Sequence, residues 1–231
     1  MPKYELSGRE LKRKISNMLR TEDIDQVLDA LCRMPGRRAV NPLFSFLLST
    51  DAELKWHAVT ALGGVIANLA RQDMESARVT MRRLMWQLND ESGGIGWGCP
   101  ETMGEAIACH EGLAVEYTGI LVSYVMEDGN FLEYEPLREG AVWGMGRVAQ
   151  VRPHIARVAV PHLLPFLMAR PAALRGLTVW SLGLLGAGEA ASQIRLLLND
   201  GAQFDLYRER ALKKCTVREL SEEALANIEG H

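Results

Sequence analysis

The 231-residue sequence has few cysteines, few aromatic residues and no long apolar run. Its four cysteines, Cys32, Cys99, Cys109 and Cys215, are too few and too widely spaced for a disulfide framework. No apolar run approaches the roughly 20 residues that cross a bilayer, and the first residues are charged, unlike those of a secretory signal. These absences predict a cytoplasmic protein that does not enter the membrane.

The net charge is also small, at −3, but the charges are segregated along the chain. Residues 1–40 hold nine Lys or Arg against six acidic residues, and residues 141–218 hold eleven against four. Residues 86–140 hold eleven acidic residues and a single base, Arg138. Solvated helix surfaces are the ordinary explanation. The alternative is that the acidic region attracts a cationic partner, and its charge argues against a nucleic-acid partner there.

Tryptophan is rare too, but four of the five tryptophans recur in one register. Their ten-residue windows repeat every 32 to 42 residues, and the first four windows end on Leu-Gly or Met-Gly. Such a period with a helical pattern is typical of stacked helix pairs. We therefore predict one all-α domain, residues 1–231: capping helices in 1–40, repeats in 41–215 and a C-terminal cap in 216–231. The windows are Leu54–Gly63, Ile95–Gly104, Leu137–Gly146, Leu174–Gly183 and Leu206–Cys215.

Local signals place the individual helices. A capping box from Ser7 to Glu10 begins the first helix, Thr21-Glu22-Asp23 begins the second, and Asn41-Pro42 begins the third, with proline at its first position. No window alternates clearly enough to predict a strand. Mid-helix glycine costs about 1 kcal/mol relative to alanine, so the glycine that ends each of the first four windows indicates close helix packing. Further helices are predicted at 52–70, 74–88, 100–108, 111–127, 134–150, 155–169, 172–186, 189–199, 204–214 and 218–228.

Windows such as Leu54–Gly63 and Leu174–Gly183 resemble HEAT-like repeats of the phycobilisome-lyase type, and the resemblance covers most of residues 40–215. It implies a right-handed α-α superhelix of about five to six helix pairs, with the second helices lining a concave surface. It also implies a scaffold or binding role. The segment 93–101, Gly-Gly-Ile-Gly-Trp-Gly-Cys-Pro-Glu, is similar to part of uncharacterised HEAT-repeat proteins of sulfate-reducing bacteria, which implies no activity.

Helical geometry predicts a groove along that surface. Window positions three and seven are four residues apart and therefore share a helix face, and they carry most of the tryptophans together with acidic residues. Aromatic and arginine side chains contribute much of the energy at binding surfaces. We therefore predict a non-catalytic scaffold that holds a protein or peptide partner; the alternative is that the tryptophans only fill gaps between helices. The predicted groove comprises Trp56, His57, Trp97, Glu101, Glu105, Arg138, Glu139, Trp143, Arg147 and Trp180.

Metal and nucleotide sites find less support. Glu101, Glu105 and Cys109 share one helix face with His110 adjacent, but no CxxC or HExxH motif accompanies them, so we predict no metal and no cofactor. The glycine-rich segment 93–98 lacks the spacing of a phosphate loop, and Pro100 is expected to start a helix after it.

Two enzymatic alternatives rest on resemblance. The order Trp97, Glu101, Arg138 and Trp180 resembles the groups that alkylpurine DNA glycosylases of HEAT-like fold place along their concave face. There, the carboxylate would stabilise charge on the sugar as the base departs. This chain has Glu in place of Asp, altered spacings and an acidic middle. The repeat type alone suggests a bilin lyase or another cofactor-handling protein. Because fold does not transfer function, both come after the binding role.

Overall fold

The structure, a computed structural model, describes residues 6–20, 23–89 and 96–230. Helices make up most of it, and one antiparallel hairpin precedes the last helix. No helix in these ranges is long and apolar enough to cross a membrane. The helices are α1 Gly8–Leu19, α2 Ile24–Cys32, α3 Gly36–Phe46, α4 Ala52–Gln72, α5 Met74–Leu88, α6 Cys99–Cys109, α7 Glu111–Ser123, α8 Glu135–Val151, α9 Pro153–Ala156, α10 Val160–Leu163, α11 Ala172–Leu184, α12 Ala191–Leu196 and α13 Val217–Glu229, and the strands are β1 Gln203–Arg208 and β2 Ala211–Thr216.

The helices form two layers. In the inner layer, α2, α4, α6, α8, α11 and α13 each pack against the next. The outer layer, with α3, α5, α7 and α12, covers one side of it, and apolar residues between the layers form a continuous core. This arrangement confirms the predicted solenoid of stacked helix pairs.

Capping signals explain where several helices begin. Ser7 and Glu10 form the predicted capping box of α1, and Asp23 accepts from the Gln26 amide at the start of α2. The other two residues of that predicted cap, 21 and 22, lie outside the described ranges, as do residues 90–95 of the glycine-rich segment. Pro100 lies in the first turn of α6, as predicted.

Window glycines allow the inner helices to approach closely, as predicted. A Cβ atom added to Gly104 would lie 2.3 Å from the Cα atom of Gly144 on α8. One on Gly146 would lie 2.3 Å from the Trp180 ring, and one on Gly183 2.6 Å from Ala224. Real Cβ atoms do not approach other heavy atoms so closely, so only glycine fits at these contacts without a shift of the neighbouring helix.

The prediction of a helix over 204–214 was wrong. This segment is the β1–β2 hairpin, paired in register from Gln203 with Thr216 to Arg208 with Ala211. The sequence around Arg208–Lys214 is rich in good helix formers, but packing on the inner layer overrides that weak local preference. The last inner helix is instead α13, and Lys214 and Cys215, at the end of the fifth window, are strand residues.

Prolines account for two further differences. Pro42 does not begin a helix, because α3 already starts at Gly36 and contains it. The predicted helix 155–169 is broken into α9, α10 and two short 3-10 turns, with Pro153, Pro161 and Pro165 in their first turns. Since proline has no N–H, it favours these fresh starts over a continuous helix.

Candidate functional site

The hairpin of residues 203–216 lies across the inner layer, over the face where the groove was predicted. Its Phe204 ring packs against the backbone of α11, since a Cβ atom on Gly176 would lie 2.1 Å from it. Further along, Tyr207 contacts α4 and α8, and Arg210 contacts α2 and α6. Arg208 pairs with Glu223 on α13, so the hairpin touches all six inner helices.

Tyr207 fills the centre of an aromatic cluster. Its ring stacks on Trp56 with centroids 4.7 Å apart and an angle of 9° between the planes, and Trp56 in turn lies 4.7 Å from Trp143. The Trp143 indole N–H donates to the Tyr207 carbonyl over 2.8 Å, and the Tyr207 hydroxyl shares a 3.1 Å hydrogen bond with Thr60. Burial raises the pKa of Tyr207. An indole that binds a backbone carbonyl beside a ring stack is a way to hold a polypeptide segment.

A charged cluster lies next to the aromatic one. Glu105 is 2% exposed, and its carboxylate accepts from Arg147 over 2.6 Å and 3.2 Å. Arg210, at the hairpin turn, lies 3.4 Å from Glu105 and 3.4 Å from Asp25. Glu105 thus holds one arginine of the solenoid and one of the hairpin.

The turn of the hairpin has an unusual backbone. Its two central residues are Glu209 and Arg210, with φ of 54° and 64°. Turns of this kind normally carry Asn-Gly or Asp-Gly, because a side chain in the left-handed region costs about 1–2 kcal/mol. The contacts of Arg210 with Glu105 and Asp25 offset part of that cost.

Two cavities open to the surface beside the hairpin turn. One of about 230 Å³ is lined by Tyr207, Arg147 and Arg210, and one of about 190 Å³ is lined by Arg208 and Trp180. The hairpin therefore leaves part of the neighbouring inner face accessible to solvent.

The part of the inner face beside the hairpin holds a second cluster, here called the Lys55 patch: Lys55, Trp97, Glu101 and Glu139. The Lys55 ammonium lies 5.4 Å from the centre of the Trp97 ring, 5.8 Å from that of Trp56, and 3.5 Å from Glu101. Glu101 packs closely against α8 at Gly140, because a Cβ atom on that glycine would lie 2.7 Å from the Glu101 carboxylate.

Both carboxylates of the Lys55 patch lie where their surroundings stabilise negative charge poorly. Glu101 is 5% exposed, and its Oε2 atom is buried with no hydrogen-bond partner among the described residues. The pKa of Glu139 is raised by burial and by the charges of Glu135 and Glu101. Beside the patch, a cavity of about 450 Å³ opens between Trp97 and the loop with Leu47 and Thr50. A cationic group would lower the cost of both carboxylates.

Seven of the ten predicted groove residues belong to these clusters, and three lie elsewhere. His57 is 3% exposed and its Nδ1 atom lies 2.6 Å from the Leu19 carbonyl, so it packs against the end of α1. Arg138 donates to the Leu132 carbonyl and packs over Phe131 and Phe166 at the start of α8. Trp180 lies over Gly146, at the cavity of about 190 Å³. The glycosylase resemblance required Arg138 and Trp180 to lie in one site with Glu101. The structure places both of them elsewhere.

The helix face that carries Glu101, Glu105 and Cys109 makes its contacts within the protein. Burial, followed by the charge of Glu105, raises the pKa of Cys109 to about 12, so that its thiol stays protonated at neutral pH. Glu105 is engaged with Arg147, and His110 caps α7 by accepting from the Leu113 amide. Within the described ranges, no group of three His, Cys, Asp or Glu is arranged to hold a metal ion.

Sequence reasoning missed Lys55, Thr60, Tyr207 and Arg210 as parts of the site. Thr60 lies four residues after Trp56 and therefore shares its helix face, but its hydrogen-bond partner, Tyr207, is 147 residues away. The alternation of Phe204 and Leu206 with polar residues was the available signal for a strand. Nothing in the sequence indicated that this strand would fold back over the solenoid.

Comparisons with known proteins agree with this architecture. Residues 135–185 match the family model described as HEAT-like repeat. A search of curated proteins finds no significant match. Two solved structures of engineered proteins from the Northeast Structural Genomics Consortium are similar: one has a TM-score of 0.52 at 15% identity, covering 95% of this chain and 96% of that one. The other has a TM-score of 0.51 at 12% identity, covering 96% and 99%.

A designed armadillo repeat protein in complex with the peptide (KR)4 has a TM-score of 0.46 at 17% identity, with 95% and 99% of the chains covered. The family match and the two engineered structures define the class: the chain is a helical-repeat solenoid. The segment that matches the HEAT-like repeat model, residues 135–185, contains α8 to α11.

Proposed function

We propose that the chain is a non-catalytic scaffold that holds a protein or peptide partner on the face of its inner layer, over the predicted groove. The observation that carries this proposal is that the face already holds a polypeptide segment, the hairpin. It does so by a ring stack on Trp56, an indole hydrogen bond from Trp143 to a backbone carbonyl, and an ion pair with Glu105. The indole hydrogen bond uses a backbone carbonyl that any peptide offers, while the stack and the ion pair use an aromatic and an arginine side chain.

The Lys55 patch gives the partner its point of first contact. It lies beside the hairpin and next to the cavity of about 450 Å³. Lys55 is the cation now beside Glu101 and over the Trp97 ring. A lysine or arginine side chain of the partner would take its place there and would also meet Glu139. The excess of acidic residues in 86–140 also favours a positively charged partner.

The test is capture of a partner from host lysate by the tagged chain, followed by titration with the purified partner. Trp97→Ala and Glu139→Gln are expected to weaken binding at least tenfold. Trp86→Ala is the matched control, because this tryptophan is 76% exposed on the outer helix α5. Circular dichroism first establishes that each variant is folded. If the control loses the partner as the Lys55-patch variants do, or if no protein is captured, the proposal fails.

A further inference from the structure

From the hairpin contacts, we infer that the site formed by Trp56, Glu105 and Trp143 recognises a turn segment carrying an aromatic residue three positions before an arginine. The chain's own Tyr207 and Arg210 occupy that site as a displaceable substitute for the partner. This inference rests on the proposed function and adds to it the chemistry of the partner and the means by which binding is regulated.

The contacts of the hairpin are specific for two of its side chains. The Tyr207 side chain reaches two partners, the Trp56 ring and the Thr60 hydroxyl, while Arg210 reaches the buried carboxylate of Glu105. A segment that lacked the aromatic ring would leave Trp56 uncovered. One that lacked the arginine would leave Glu105 with Arg147 alone. The site therefore selects both groups at this spacing.

The turn of the hairpin is its least favourable part. A two-stranded hairpin is marginally stable by itself, and Glu209 and Arg210 add the cost of positive φ at the turn. Leu206 and Tyr207 are buried against the inner layer, but the turn beyond them lies beside two cavities that open to the surface. The strain at the turn lowers the free energy that opening the hairpin requires.

The base of the hairpin allows its strands to move without unfolding the solenoid. Its ends meet at its base, where the Val217 amide donates to the Ala202 carbonyl over 3.1 Å and the Arg218 amide donates to the Asp200 carbonyl over 2.8 Å. Arg175 holds Asp200 through two hydrogen bonds of 2.6 Å and 2.9 Å. The base is thus anchored to α11, and the strands can leave the face as a unit.

The probe for the test is a backbone-cyclised peptide with the sequence of residues 203–216 and Cys215→Ser. The control peptide also carries Tyr207→Ala and Arg210→Ala. Both are titrated by fluorescence anisotropy into three proteins: the full chain, its Arg210→Ala variant, and a variant in which a short Gly-Ser linker replaces residues 203–216. The adjacent ends at the base allow that replacement.

The expected affinity for the probe is highest in the linker variant, intermediate in Arg210→Ala and at least tenfold lower in the full chain, because an occupied site reduces apparent affinity by its open fraction. The control peptide should bind the linker variant at least tenfold more weakly than the probe. Equal affinity of the probe for all folded proteins, or no binding to a folded linker variant, overturns the inference.

Hydrogen exchange on the full chain keeps the test decisive if the linker variant does not fold. Amides of β1 and β2 should exchange at least tenfold faster than those of α11, whereas exchange at the same rate as α11 would contradict a displaceable hairpin. The partner captured under the proposed function separates the two ideas. A partner that excess probe releases supports the inference, and one that the probe leaves bound overturns it without touching the proposed function. If no partner is captured, the proposed function fails and the inference about its partner falls with it.

Discussion

The contact between Gly104 and Gly144 gives a sharp prediction about what holds the solenoid together. Alanine at position 104 would place its Cβ atom 2.3 Å from the Cα atom and 2.7 Å from the carbonyl oxygen of Gly144. The obstacle is backbone, so α6 and α8 must separate, at the upper end of the usual cost of overpacking, about 3 kcal/mol. Alanine recovers about 1 kcal/mol of helix propensity. We therefore expect Gly104→Ala to lower the free energy of unfolding by about 2 kcal/mol.

Gly119→Ala is the matched control. Gly119 also lies inside a helix, α7, but an added Cβ atom there meets no atom within 4 Å. This substitution should stabilise the protein by about 1 kcal/mol. At about 2–4 °C per kcal/mol for a chain of this size, thermal unfolding followed by circular dichroism should show a Tm about 4–8 °C lower for Gly104→Ala and about 2–4 °C higher for Gly119→Ala. Equal shifts in the two variants would refute the close-packing explanation.

Three further predictions concern charge. Arg147→Met should lower the free energy of unfolding, measured by urea titration, by about 3 kcal/mol, because it leaves Glu105 buried without its closest partner. Arg195→Met breaks an exposed pair with Glu229 and should lower it by under about 1 kcal/mol. Equal losses in the two variants would contradict this reasoning. Burial, with Arg71 and Arg152, lowers the folded-state pKa of His110, so the unfolded chain takes up the proton first, and stability should fall as the pH drops below about 6.5. His110→Asn keeps a capping side chain at α7 and should lessen that loss between pH 7.5 and 5.5; an unchanged pH profile would exclude His110 as its source. The folded-state pKa of Glu139 is raised, so its ionised form destabilises the fold at neutral pH. Glu139→Gln should therefore raise the Tm at pH 7 but not at pH 3.5. A Tm increase of the same size at both pH values would show that charge is not the cause.

The sequence predicted the solenoid well because its signals are local and repeated. The spacing of Gly63, Gly104, Gly146 and Gly183 reports helix contacts that depend only on neighbouring repeats. Capping residues such as Ser7 and Asp23 marked helix starts for the same reason. Three of the first four windows therefore lie on the inner helices α4, α8 and α11, and the second enters α6 at Cys99.

The site was harder to predict, because its contacts join distant parts of the chain. The register placed Trp56 and Trp143 on one face, but their partner Tyr207 lies in a segment with helix-forming composition. Arg138 had the expected position on α8, yet its side chain turns to Phe131 and Phe166. The spacing of residues in a sequence predicts which face of a helix a residue lies on. The direction of a long side chain depends on the groups that surround it.

The span of the hairpin also bears on how the chain folds. In a simple solenoid each repeat contacts only its neighbours, so unfolding can begin at one end and spread. Here Thr60 meets Tyr207 across 147 positions of sequence, and Asp25 at the other end of the chain meets Arg210. Such long-range contacts slow folding and couple the unfolding of the two ends of the chain. With the hairpin in place the molecule should unfold in one cooperative step, and with the hairpin released its ends become free to fray independently.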